Sequence, residues 1–229
     1  MGGQACVFYG AAEFSRDLDL LILADSVNLD RLHAALHDLR ATSIAVPELA
    51  PEYLEKGHAV HFRCRRPDVD GLRIDLMSNF RAGAPFEQLW ERRMTIEVDR
   101  EPVDLLALED LVQAKKTQRD KDWPMIARLL DRSYLEREQS PSRELVEFWL
   151  RELRSPEYLV ELAESHAEAA RQMSAIRPAV AAALSNDSGS VAAALAAEEA
   201  EERRKDREYW QPLKRELEQL RRQRREPMV

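Results

Sequence analysis

Cysteine is nearly missing from this chain: Cys6 and Cys64 are its only two, and no Cys-x-x-Cys spacing occurs. A disulfide framework and a cysteine-built structural zinc site are therefore excluded, and the pair reads as free thiols in a reducing compartment. Long apolar runs are missing too. The longest near the start, Ala5 to Ala12 with one glycine, is too short to cross a bilayer and carries no basic leader, so the chain is read as cytoplasmic. A surplus of positive charge is the third absence, since 34 Lys and Arg against 42 Asp and Glu leave a net charge of −8. That excludes a histone-like or ribosomal nucleic-acid coat but leaves room for a local basic groove. What is present is 229 residues with 45% hydrophobic side chains, enough to bury one large core or a core with an appendage.

The apolar pattern changes character along the chain. Leu18 to Leu23 reads as a buried strand, and Asn28 to Leu39 as an amphipathic helix with Leu29, Leu32, Leu36 and Leu39 on one face. His58 to Cys64 and Leu72 to Met77 alternate like strands and are separated by Pro67, Asp68 and Gly71, which predicts a hairpin. Phe86 to Arg92 looks helical, Met94 to Val98 and Val103 to Leu106 look like a second hairpin around Arg100, and Leu108 to Lys116 returns to helix. Beyond Asp131 the β pattern fades and Ala, Glu, Leu and Arg dominate. Helices are predicted over Ser142 to Leu153 and Pro156 to Met173, then a loop at 185–190, then helix to Arg225 with a kink at Pro212, whose missing amide costs about 3 kcal/mol in a helix interior. The expected organisation is an α+β core over 1–131, a helical region over 132–185, and a hinge with a long C-terminal helix over 186–229.

Chemistry concentrates in one stretch: Gly2-Gly3, thirteen residues, then Asp17-Leu18-Asp19-Leu20-Leu21-Ile22, with Ser15 and Arg16 just ahead of the acids. On a strand, Asp17 and Asp19 share a face while Leu18 and Leu20 enter the core. Two carboxylates so placed repel unless a hard cation lies between them, which suits Mg²⁺. Asp75 interrupts another apolar strand, Leu72-Arg73-Ile74-Asp75-Leu76-Met77. Paired beside the first strand, it would complete a set able to hold two divalent ions; alone, it is an edge-strand acid in water. The glycine pair would let backbone amides approach phosphate oxygens, and Ser15 would add a hydroxyl donor.

These residues resemble the nucleotidyltransferase superfamily related to DNA polymerase β, whose pattern is Gly-Gly or Gly-Ser, then Asp-hydrophobic-Asp, then a later strand Asp. Pro85 to Arg92, the hairpin ending at Val103 to Leu106, and Leu108 to Lys115 are similar to its small stand-alone bacterial members, and Arg119-Asp120-Lys121-Asp122 is similar to their Arg-Pro-Lys-Asp segment without the proline. The likeness covers residues 1–131. It implies a nucleotidyltransferase-fold mixed sheet with flanking helices, followed here by a C-terminal helical extension. It further implies two Mg²⁺ ions on Asp17, Asp19 and Asp75, an NTP such as ATP as substrate, and Lys115, with Lys116 as its neighbour, facing the phosphates. The implied acceptor is a hydroxyl on a protein side chain, an RNA 3′ end or a small molecule such as an aminoglycoside. Related small enzymes are halves of toxin–antitoxin or phage-defence pairs, which suggests an antitoxin or other partner for the helical tail. Family members place a strand before the glycine pair, whereas Met1 abuts Gly2 here; a start assigned too far downstream or a truncation is the expectation, ahead of a decayed, inactive copy serving as an interaction module.

The remaining signals read as structural. His33 and His37 share a helix face without a completing carboxylate, and His58 and His61 fall on opposite faces of a strand. Trp90, Trp123, Trp149 and Trp210 are expected in the core. Leu213, Leu217 and Leu220 form a short seam, for self-association or for packing onto the rest, and the arginines at 221, 222, 224 and 225 read as a solvated helix end, an RNA contact being the other reading.

Overall fold

The computed structural model describes residues 1–225. It is an α+β fold built around a mixed four-stranded sheet, with a separate two-stranded sheet and a long C-terminal helix. The elements in chain order begin with α1 (Gly2–Phe8), β1 (Asp17–Leu21), α2 (Ser26–Asp38), β2 (Thr42–Ser43), α3 (Pro51–Glu55), β3 (Val60–Arg63) and β4 (Arg73–Met77). There follow α4 (Phe86–Glu91), β5 (Met94–Val98), β6 (Glu101–Leu105) and α5 (Leu108–Lys115). The helices α6 (Asp122–Arg137), α7 (Arg143–Glu152), α8 (Pro156–Ser165), α9 (Ala167–Ser174), α10 (Pro178–Ala183) and α11 (Ser188–Arg225) complete the chain.

Two units are formed. The first comprises Met1–Ala114 with the stretch from Arg207 onward; the second is Lys115–Asp206. The boundary expected at 131 falls inside α6, because Ile126, Leu129, Leu130 and Tyr134 form one continuous buried face across it. The third expected region is likewise divided, since α11 lends its early turns to the second unit and its later turns to the first.

In the first unit the large sheet has the order β1-β4-β3-β2, with β1 parallel to β4 and the other pairs antiparallel. Alternation decides its two faces. Ile74 and Leu76 on β4 and Val60 and Phe62 on β3 enter a core with Leu29 and Leu36 of α2 and Leu54 of α3, and Leu18 and Leu20 of β1 pack against it. The helix α2 lies there because its leucines recur at helical spacing and its start is capped, with Asp25 Oδ1 accepting from the Asn28 amide at 2.7 Å. The opposite face is left to Asp17, Asp19, Arg73, Asp75, His61 and Arg63. The β5–β6 hairpin turns at Asp99 and Arg100, both with positive φ, as a tight turn between right-twisted strands requires.

The second unit is helical. Ser142 caps α7, its hydroxyl accepting from the Leu145 amide. Arg177 is buried and donates to the carbonyls of Leu150 and Leu153, groups at the end of α7 that have no partner inside that helix, while Glu198 balances its charge. The predicted helix over Pro156 to Met173 is divided at His166, whose φ of −125° and ψ of 51° leave the α region and separate α8 from α9. The loop expected at 185–190 is shorter than predicted. Asp187 accepts from the amides of Gly189 and Ser190 and from the Ser190 hydroxyl, so α11 is already under way at Ser188. The same helix runs through Pro212 without ending.

Candidate active site

The register between β1 and β4 pairs Asp17 with Arg73 and Asp19 with Asp75, and that between β3 and β4 pairs Asp75 with His61. Partners across neighbouring strands lie about 4.8 Å apart and share a pleat, so all five side chains leave the sheet on its polar side. The expectation that the strand of Asp75 lies beside that of Asp17 and Asp19 is met by this pairing.

The glycine pair approaches the same place. Gly2 has φ +69°, and a Cβ there would sit 1.9 Å from Asp19 Oδ2; a Cβ on Gly3 would sit 2.4 Å from the Ser15 hydroxyl. Only glycine fits at the first of these. The Gly3 amide donates to Asp19 Oδ2 at 3.3 Å, so its partner here is the motif carboxylate rather than open space. Instead of a bare turn, Gly2 and Gly3 open the short helix α1. Ser15 spends its hydroxyl proton on the Asp17 carbonyl, at 3.1 Å, and its own carbonyl accepts from the Gln4 side chain, through Nε2. These bonds anchor the backbone that delivers the acids.

The three carboxylates differ in their surroundings. Asp17 and Asp19 enter no salt bridge among the described residues. As hard oxygen donors on one face they suit a divalent cation. Asp75 is committed: its Oδ1 accepts from Arg73 Nε at 2.7 Å and lies 2.8 Å from His61 Nδ1, and Arg73 Nη2 is 3.2 Å from that same nitrogen. Burial pushes the Asp75 carboxyl up, but the bonds to His61 and Arg73 outweigh it and hold the acid below the usual carboxylate range. Arg73 is itself held protonated, first by the Asp75 hydrogen bond and further by the charges of Asp75, Asp17 and Asp19. Among the described residues no group of three or more His, Cys, Asp or Glu side chains is gathered as a metal cage.

Lys115 belongs to the second unit. Its ammonium donates to Asp122 Oδ1 at 3.3 Å, and Thr117 and Arg119 take Asp122 Oδ2. Burial raises the Asp122 carboxyl, yet Lys115, Thr117 and Arg119 together bring it below its ordinary value. The segment likened to Arg-Pro-Lys-Asp thus forms a structural knot in the second unit, because a buried carboxylate must have its charge and lone pairs met. Lys116 pairs with Glu152. The second unit also has a 420 Å³ cavity beside Trp123, where Arg154 is balanced by Glu198 and Arg203 by Glu199 and Asp120.

His61 and Arg73 are the site residues that motif reading missed. Their signal was available: both occupy the polar phase of strands whose other phase is Val60, Phe62, Ile74 and Leu76. His58 is fully buried, with Nε2 bonded to Glu216 at 2.9 Å, and takes no part. Trp123 and Trp149 are buried as expected, whereas Trp90 is 46% exposed with the Arg93 guanidinium stacked 3.9 Å over it. Comparison with family models, with curated proteins and with solved structures gives no match for this chain.

Proposed function

We propose that the chain is a metal-dependent nucleotidyltransferase that moves a nucleoside monophosphate from an NTP to an acceptor hydroxyl and releases pyrophosphate. The observation that carries this reading is the register that puts Asp17, Asp19 and Asp75 on one face of the sheet, beside a glycine pair with no room for side chains. Bound Mg²⁺ would supply the positive charge that lets a triphosphate approach this acidic face. Asp17 and Asp19, with Asp75 beside them, would hold the Mg²⁺ ions, Asp75 and its partners would border the acceptor, and the Gly2-Gly3 segment and Ser15 would border the phosphates. The acceptor oxygen bonds to the α-phosphorus, the bond from that phosphorus to the bridging oxygen breaks with its electron pair leaving on pyrophosphate, and the hydroxyl proton passes to water. The acceptor class, protein, RNA or small molecule, belongs to this proposal, as does a role beside an antitoxin or other partner protein.

The test is equilibrium binding of NTPs with Mg²⁺ to the full chain and to Asp17→Ala and Asp19→Ala, paired with pyrophosphate release in the presence of candidate acceptors. Binding that needs the metal and is lost in both variants supports the reading; indifference to both substitutions sinks it. A second reading, a catalytically silent interaction module, is favoured by one observation, the engagement of Asp75 by Arg73 and His61. It predicts that indifference.

A further inference from the structure

The cavity of the second unit lies among α6, the segment between α7 and α8, and α11, and the proposed reaction makes no use of it. At 420 Å³ it falls within the range of small-molecule sites, roughly 300–1,000 Å³. Its origin is local. Pro124 and Ala127 of α6 and Ala192 and Ala196 of α11 line it, and alanine side chains that stop at Cβ leave open the space which longer residues would close. Leu195 and Pro156 extend the same apolar wall.

One end of the cavity is cationic. Arg154 lines it with its guanidinium 5.0 Å from the centre of the Trp123 ring, and its side chain is 11% exposed. An arginine has five N–H donors; Arg154 gives one to Glu198 and one to the Leu195 carbonyl, so the others have no protein partner among the described residues. Nor is Glu198 held by Arg154 alone, for the buried Arg177 bonds to both of its oxygens. Two guanidiniums thus share one carboxylate largely out of water. Burial and the charge of Arg177 outweigh Glu198, Glu152 and Glu199 and bring the Arg154 guanidinium below its ordinary pKa. A cation so placed is stabilised by an anion arriving from outside. The acids nearby are already engaged: Glu199 and Asp120 pair with Arg203, Asp120 being 96% exposed and screened by water, and Glu152 pairs with Lys116. Glu199 and Asp120 nevertheless line the cavity, so they admit one negative charge at Arg154 and oppose a second. That favours a carboxylate over a phosphate.

We infer that this cavity binds a small monocarboxylate with an apolar body, its carboxylate on the unused N–H groups of Arg154 and its body along the wall that α6 and α11 provide. The inference stands apart from the nucleotidyltransferase reading, since every residue it uses lies in the second unit.

The experiment compares three probes of one ring system. Naphthoate is titrated into the full chain by isothermal calorimetry, beside naphthamide, which keeps the rings without the charge, and naphthyl phosphate, which carries a second negative charge. The expected result is one naphthoate site per chain, with the amide and the phosphate each weaker by roughly tenfold or more. Arg154→Gln is expected to weaken naphthoate by a similar factor. Ala196→Phe, at an exposed position on the cavity wall, is expected to abolish binding by filling the hollow, with the fold checked by circular dichroism. The inference is overturned by an amide that binds as tightly as the acid, by a phosphate that binds more tightly, by naphthoate binding that survives in folded Ala196→Phe or is unchanged in folded Arg154→Gln, or by no naphthoate binding at millimolar concentration. If Arg154→Gln does not fold, the acid-against-amide comparison and Ala196→Phe decide. None of these outcomes touches the binding of NTPs with Mg²⁺, so the functional reading stands or falls by its own test.

Discussion

The acids of the first unit's sheet and the buried acid of the second unit are the same residue type put to opposite uses. Asp122 is 2% exposed, and both its oxygens are filled by Lys115, Thr117 and Arg119. Asp17 and Asp19 lie side by side on one face with no salt bridge among the described residues, and Asp75 stands between the two conditions, paired yet next to them. A carboxylate whose needs are met inside the protein is structural. One whose charge is left for something outside is where a ligand's free energy can be gained. The contrast also separates the two halves of the family resemblance, for the Asp-x-Asp segment lands on the open acids and the Arg119 to Asp122 segment on the closed one.

The contrast can be broken most severely at its open end. Asp17→Asn or Asp19→Asn is expected to lower metal-dependent nucleotide transfer by about a thousandfold while leaving the thermal melt unchanged or slightly raised, since relief of like charge offsets the lost carboxylate. A melt that collapses instead would show these acids to be structural, like Asp122. At the closed end, Asp122→Ala is expected to destabilise the second unit by about 3 kcal/mol, as loss of one partner strands the half-buried Lys115 charge. Denaturant unfolding followed by the fluorescence of Trp123 and Trp149 measures this.

The same residue sets a pH dependence. The folded pKa of Asp122 lies below its unfolded value, so its stabilisation is fully present above the ordinary carboxylate range and is lost as pH falls through the depressed folded value. The acid limb of a stability-against-pH curve should therefore flatten in Asp122→Asn; an unchanged limb would refute the assignment. Gly2→Ala is expected to cost about 2 kcal/mol, from positive φ and from the collision with Asp19, and to weaken Mn²⁺ binding, whereas Gly3→Ala, without the positive φ, meets the Ser15 hydroxyl and Cβ, displaces the bond from Ser15 to the Asp17 carbonyl, and costs less. The smallest effect belongs to Glu216→Ala. It removes an exposed pair with Lys56 and the partner of buried His58 Nε2, for about 1 kcal/mol by thermal melt.

Much of the fold could be read residue by residue. The leucine spacing of α2, the alternation of β3, β4, β5 and β6, and the serine cap of α7 are local patterns, and each element formed within a few residues of its expected bounds. Of the elements that had no expectation of their own, α1, α3, β2 and α10 are runs of two to seven residues, too brief to show a period, whereas the sixteen-residue α6 straddles the boundary expected at 131. The hinge before α11 looked longer than it is, since Ser, Asn, Asp and Gly favour both loops and helix starts, and here Asp187 uses its side chain to begin the helix. The leucine seam at 213, 217 and 220 could not be assigned from spacing alone. Leu213 is buried and the adjoining Glu216 reaches His58 and Lys56, which places this end of the helix in the first unit.

By itself, the order of residues determined which side chains share a face: a strand alternates with period two, so Asp17 with Asp19 and Arg73 with Asp75 were bound to point together wherever those strands went. Only the tertiary structure decided which strand lies beside which and with what register. That choice put Arg73 opposite Asp17 and His61 opposite Asp75, and so turned three like charges into an open pair and a paired neighbour. The physical reason is that a carboxylate's partner is selected by distance in space, across residues as far apart in the chain as 61 and 75, and no local pattern encodes that distance.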